Sequence, residues 1–161
     1  MVTMLPNNDI VREVYMGKNG VLETVQPGSF LIDSSTVDPS VSKTVAAASA
    51  GKTDFKAPGR RLYFSNFPGY EFLNMHIHLF DNTLSTGKDA TFVDAPVSGG
   101  VLAVSTGTLT FMVGSDTAAD FEKAKSLLMD MGKNVTHCGK VGSGGAVKIC
   151  NNSELECFIH I

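Results

Sequence analysis

Apolar residues recur along the chain in two alternating rhythms. Val2 to Pro6 is a short extended run, read as the tail of a strand. Asn7, Asn8 and Asp9 then offer caps for a helix whose apolar positions Ile10, Val11, Val14 and Tyr15 recur at helical spacing, and Gly17 and Gly20 close it. Residues 28–33, GSFLID, form a short apolar run of strand formers ending in polar residues, as a buried parallel strand reads. Asp38-Pro39 opens a second helix, which passes Val41, Val45 and Ala46 and stops at Gly51. After an interruption, residues 90–95 and 108–113 read as strands. Ser115 or Asp116 is expected to cap a helix with Phe121, Ala124, Leu127, Leu128 and Met131 on one face. Residues 135–138 are a last short strand, and the glycines of 142–145 lead into the opening turns of a helix at 146–152, which the chain is expected to abandon there. Strand alternating with helix predicts an α/β domain.

Residues 52–87 fit neither rhythm. They hold seven of the thirteen aromatic residues, together with Pro58 and Pro68, and show no sustained period of 3.6 or 2. A structureless stretch of this length argues for an insertion rather than a connection. His76 and His78 lie within it, but no Cys, Asp or Glu set completes a metal site around them, so no metal is expected.

Composition narrows the function. With 161 residues the chain has the size of one domain, and a net charge of −3 excludes a nucleic-acid binder working by bulk charge. Three cysteines without a CxxC pair suit a reducing compartment. No apolar run approaches the ~20 residues that span a bilayer, so no membrane partner is expected. The first residues carry neither a secretory signal nor the Arg- and Ser-rich pattern of a mitochondrial presequence.

Three places could carry chemistry. A strand ending in Ser98-Gly99-Gly100 brings backbone N–H groups to a sheet edge with no side chains in the way, which suits a carboxylate or phosphate; a plain tight turn reads the same way. Lys148 and Asn152 are four apart and share a helix face. A lysine so early in a helix opposes the helix dipole, so it is either a surface group or a proton carrier whose pKa burial lowers. Leu5-Pro6 and Ser35-Thr36 each follow a strand, at the edge where open α/β sheets bind ligands. Two motifs fail. Gly51-Lys52-Thr53 lacks the first Walker A glycine, since position 46 is Ala46, and Gly142-x-Gly144 lacks the third dinucleotide glycine, since position 147 is Val147.

Four stretches together, TMLPNNDIVREVYMGKNGVL (3–22), FLIDSSTVDPSVSK (30–43), FVDAPVSGGVLAVSTGTLTFMVG (92–114) and NVTHCGKVGSGGAVKICNN (134–152), resemble the β-hydroxyacid dehydrogenases. The resemblance covers 1–51 and 88–152 and points to the branch that acts on 3-hydroxyisobutyrate. It implies that Lys148 is the catalytic lysine, that Ser98, Gly99, Gly100 and Asn152 hold the small hydroxyacid substrate, and that Leu5, Pro6 and Thr36 line an NAD site. The implied reaction is NAD-dependent oxidation of 3-hydroxyisobutyrate to methylmalonate semialdehyde, a step of valine breakdown, in a mitochondrial homo-oligomer. Two other readings stand beside it: a glyoxylate or succinic semialdehyde reductase of the same superfamily, and a non-catalytic fragment. Asp94 before APVSGG and Cys150 in KICNN favour the first.

The family's opening strand, its Gly-rich turn and its C-terminal helical domain have no counterpart in the sequence. The expected fold is therefore an incomplete Rossmann-type doubly wound sheet, mainly parallel, equivalent to the second half of the cofactor domain. Alone it is expected to be inactive, with Lys148 wet and protonated near the ~10.4 of free lysine. Residues 52–87, and the tail 153–161, are expected to be translated introns lying outside the sheet. Gly51-Lys52 can be written GGT AAG, Thr86-Gly87 can hold the acceptor CAG, and Asn152-Ser153-Glu154 can hold the donor GTGAG. Genomic DNA should show GT and AG at these points; their absence would contradict the intron reading.

Overall fold

The computed structural model describes residues 1–51 and 89–159, with side chains as far as Asn152. The expectations placed on 52–87, including His76 and His78, and on the side chains of the tail lie outside the described residues.

Six strands and six helices follow in the order β1 (Val2–Thr3), α1 (Asn8–Met16), α2 (Val21–Thr24), β2 (Phe30–Asp33), α3 (Pro39–Ser49), β3 (Thr91–Asp94), β4 (Val97–Ser98), α4 (Gly100–Ser105), β5 (Leu109–Gly114), α5 (Ala118–Leu128), β6 (Gly132–Gly139) and α6 (Ser143–Ile159). They build one sheet with the spatial order β1-β2-β3-β5-β4, and β6 pairs with β5. β1, β2 and β3 run parallel, in a register that aligns Thr3 with Asp33 and Asp33 with Asp94. The sheet is mixed beyond β3, where parallel pairing was expected. β5 meets β3 antiparallel at Asp94 and Gly114, β4 is antiparallel to β5, and β6 is parallel to β5. A parallel return needs a crossover of a dozen or more residues, and the link between β4 and β5, residues 99–108, falls short of that.

Most helix starts follow the sequence reading. Asn7 caps α1 by accepting from Ile10 N–H at 3.0 Å, and Asp38 caps α3 by accepting from Ser40 N–H at 2.7 Å. The cap of α5 is Thr117, not Ser115 or Asp116; its hydroxyl accepts from Asp120 N–H at 3.1 Å. Both expected caps are engaged elsewhere. Ser115 Oγ donates to Thr117 C=O at 3.1 Å and lies 3.1 Å from His137 Nε2 on β6, and Asp116 Oδ1 accepts from Val141 N–H at 3.3 Å. α6 runs on to Ile159 instead of ending near Asn152, because 153–159 contain neither Gly nor Pro and include good helix formers.

Helices cover both faces. On one, α1 and α3 bury Val11, Tyr15, Leu31, Val41, Val45 and Phe92, with the Tyr15 and Phe92 rings edge to face at 5.5 Å between centroids. On the other, α5 packs Ala124 and Leu128 against Ile32, Val93, Phe111 and Val113. The buried stripe of α5 is narrower than expected. Leu127 and Met131 are 46% and 40% exposed, since Leu127 lies to the side of the stripe through Phe121, Ala124 and Leu128 and Met131 lies beyond the end of the helix.

α6 enters on the α1–α3 side, close against β3 and β5. A Cβ on Gly144 would fall into Met112 C=O, with Asp94 Oδ2 at 2.8 Å and Pro96 Cδ at 3.1 Å. One at Gly145 would meet nothing nearer than Val37 C=O at 3.2 Å. Gly144→Ala should therefore cost about 1–3 kcal/mol by overpacking and Gly145→Ala clearly less, as read from urea midpoints. Leu128→Ala should cost about 2–5 kcal/mol and Leu127→Ala within roughly 0.5 kcal/mol of nothing. Equal losses within either pair would contradict this packing.

Candidate functional site

The C-terminal ends of β1, β2 and β3 lie side by side. Each chain leaves its strand through the residues singled out from the sequence. At their centre is Asp33, 1% exposed, whose Oδ1 accepts from Thr3 Oγ1 at 2.9 Å and from Ser35 Oγ at 2.5 Å. Ser35 Oγ in turn accepts from Leu5 N–H at 2.8 Å, so the loop after β1 is tied to the loop after β2. Thr3 Oγ1 also lies 2.6 Å from the Tyr15 hydroxyl, whose pKa burial raises. Leu5 is half-buried against the α1–α3 core, while Pro6 and Thr36 are exposed beside it. Two buried atoms at this edge, Asp33 Oδ2 and Ser34 Oγ, have no hydrogen-bond partner.

Asp94 ends β3 next to Asp33 and is 2% exposed. Its Oδ1 accepts from Gly142 N–H at 2.6 Å and its Oδ2 from Gly145 N–H at 3.0 Å. Burial pushes its pKa up, and the two amide donors oppose that shift.

Beyond β3 the chain passes through Pro96 into β4, where Ser98 pairs with Thr110. Gly99 and Gly100 follow with φ of +139° and +63°. A Cβ on Gly99 would collide with Ala103 Cβ and approach Leu109 Cδ2 to 3.2 Å, so only glycine suits that position. The two glycines open α4, a helix the sequence reading did not anticipate. No side chain caps it, and its residues Val101, Leu102 and Val104 are exposed.

Lys148 lies one turn along α6 from Gly144, and Asn152 one turn further. All three share a stripe that begins against Pro96, two residues before Ser98. Lys148 is 9% exposed and burial lowers its pKa, contrary to the expectation of a wet amine at the pKa of free lysine. Asn152 is exposed. Leu5, Pro6 and Thr36 thus follow the C-terminal ends of β1 and β2, where such sheets bind ligands, while Ser98, Gly99 and Gly100 follow β3 by way of β4 and Lys148 stands on α6. What sequence reasoning missed are the two carboxylates beneath them. The signal was present: FLID and FVD are apolar strands that each end in an acid. Among the described residues no group of three or more metal-type ligands occurs.

Comparison with known proteins agrees with this architecture. The chain is 38% identical over 155 residues to a probable mitochondrial 3-hydroxyisobutyrate dehydrogenase of Dictyostelium discoideum, covering 96% of this chain and 37% of that protein. It is 42% identical to the mitochondrial 3-hydroxyisobutyrate dehydrogenase of Mus musculus, covering 96% of this chain and 35% of that protein. It therefore spans little more than a third of these relatives' length. Among solved structures, the 3-hydroxyisobutyrate dehydrogenase of Mycobacterium tuberculosis with L-serine superimposes with a TM-score of 0.66 at 30% identity, over 96% of this chain and 39% of that one. The profile of the NAD binding domain of 6-phosphogluconate dehydrogenase matches residues 1–57 and 81–139, and the chain belongs to that family.

Proposed function

We propose that this chain supplies the carboxylate-binding loop and the general base of an NAD-dependent 3-hydroxyacid dehydrogenase, with 3-hydroxyisobutyrate as substrate and methylmalonate semialdehyde as product. The observation that carries the reading is a lysine buried at the ligand edge of an NAD-binding fold, with its pKa lowered by that burial. The mycobacterial relative with L-serine supports the substrate class, since L-serine also carries a carboxylate and a hydroxyl one carbon removed.

In this reading the Ser98 hydroxyl and the backbone N–H groups of Gly99 and Gly100 bind the substrate carboxylate. Asn152 orients the substrate, and the neutral Lys148 amine takes the hydroxyl proton at Nζ. Leu5, Pro6 and Thr36 would hold NAD. The edge fits such a group: the Thr36 hydroxyl is open to solvent, and Ser34 Oγ beside it is buried with no partner. When bound, NAD supplies the acceptor for the hydride. Residues 1–51 and 88–152 form the cofactor-domain portion, with 52–87 and 153–161 outside it. The relatives' names place them in mitochondria, and we assign the intact protein there, as a homo-oligomer. No helix among the described residues is long and apolar enough to cross a membrane.

The test joins this chain to the remaining sequence of a relative and measures NADH formation from 3-hydroxyisobutyrate, with NAD(P)H consumption on glyoxylate and on succinic semialdehyde measured as the competing reactions. Lys148→Ala should lower kcat about 10²–10⁴-fold. Lys148→Arg should lose as much, because a guanidinium keeps the charge but cannot accept a proton. Only the neutral amine is a base, so the rate should rise with pH, with its midpoint below the ~10.4 of free lysine. Retained turnover in Lys148→Arg, or a rate flat across this range, would refute the assignment.

A further inference from the structure

The cap of α6 comes from a distant part of the chain. An ordinary N-cap is the residue just before the helix, and its side chain accepts from the first-turn amides. The residue before α6 is Gly142, which has no side chain and holds a φ of +91°. The acceptor for this turn is instead Asp94, some fifty residues earlier at the end of β3. One carboxylate oxygen receives Gly142 N–H at 2.6 Å and the other receives Gly145 N–H at 3.0 Å. A local cap would stabilise the helix wherever it lay. A cap from the sheet also fixes where the helix stands. The contact is tight on both sides, since a side chain on Gly114 or Gly144 would run into the same carboxylate. Lys148 follows Gly145 by three residues, so it is held one turn above this anchor.

We propose that Asp94 is the positioning residue for Lys148: its carboxylate pins the first turn of α6 to the end of β3 and so sets where the lysine amine stands. The proposal rests on the reading of Lys148 as the base. Asp94 does not face the substrate loop; it acts through the helix. Its burial raises its pKa, and the two amides of α6 oppose that shift. The other titratable groups around it are Asp33, in register on β2, Cys138 on β6, and Lys43 on α3, whose stem lies against Gly142.

The experiment uses the 161-residue chain with ¹³C-dimethylated lysines, the Lys148 signal being assigned by Lys148→Arg. In Asp94→Asn, an amide replaces one acceptor oxygen and the turn is released. The Lys148 titration should move up toward that of free lysine, and exchange protection at the Gly142 and Gly145 amides should fall roughly tenfold to a hundredfold. The sign is diagnostic, because removing a nearby negative charge with no movement would shift Lys148 downward. An unchanged or lowered Lys148 titration with both amides still protected would overturn the proposal. If Asp94→Asn does not fold, the unmodified chain gives the answer. Its Gly142 and Gly145 amide shifts and its Lys148 signal should follow the Asp94 carboxyl titration, with Asp33→Asn separating the neighbouring acid. Independence of the two would equally overturn it. These readings need no turnover. Loss of the base assignment in the kinetic test would therefore leave the clamp standing, and failure here would leave the base assignment standing.

Discussion

Burying a carboxylate is costly, and the cost is offset only if donors meet both oxygens. Asp94 meets that condition with two backbone amides from the first turn of α6. The consequence reaches beyond the acid itself. Because the donors belong to a helix entering from the far end of the sequence, satisfying the acid and docking the helix are one event. The glycines at 114 and 144 are part of the same requirement, since each removes a side chain that would occupy the carboxylate's place. Asp33, next to it on β2, meets that condition only in part, with hydroxyls from Thr3 and Ser35 on one oxygen and no hydrogen-bond partner on the other. The two acids at one level of the sheet divide the edge. The β1–β2 side is bound by a side-chain network, and the β3 side by a helix.

This division matches the roles proposed for the edge. Loops tied together through Ser35 leave Thr36 and Pro6 open on the cofactor side. The tight approach of α6 leaves its lysine buried and its amine less basic than in water. Between them, Gly99 and Gly100 take backbone conformations in which other residues would be strained. A dehydrogenase needs its substrate carboxylate, its base and its hydride acceptor held in fixed relation, and rigid strand ends provide that better than free loops.

Much of this was legible in the sequence, and the gaps have physical causes. The three parallel strands and the helices α1, α3 and α5 announce themselves through periodicity, and the loops that follow β1, β2 and β3 stand where such sheets bind ligands. The direction of β5 was not legible, because strand polarity depends on how long the connection is, and α4 hides in a run of glycines and small residues. The cap of α5 was misread because Ser115 and Asp116 have the right chemistry but are engaged by β6 and its exit. The environment of Lys148 could not be read from its neighbours in sequence. The helix that carries it is held by contacts between residues about fifty positions apart, and only the acid at the end of FVD hinted at them.

The central claim is that one edge of the sheet binds a 3-hydroxyacid, between the Ser98–Gly100 loop and the stripe of α6 bearing Lys148 and Asn152. It is tested most directly by mapping backbone amide shifts of the ¹⁵N-labelled chain while 3-hydroxyisobutyrate is added to saturation, alone and with NAD. The account predicts that the hydroxyacid moves the signals of Ser98, Gly99, Gly100, Lys148 and Asn152. NAD should add those of Leu5 and Thr36, while Gly28, at the opposite end of β2, stays still. Shifts centred elsewhere, or none at saturating concentrations of both, would contradict it.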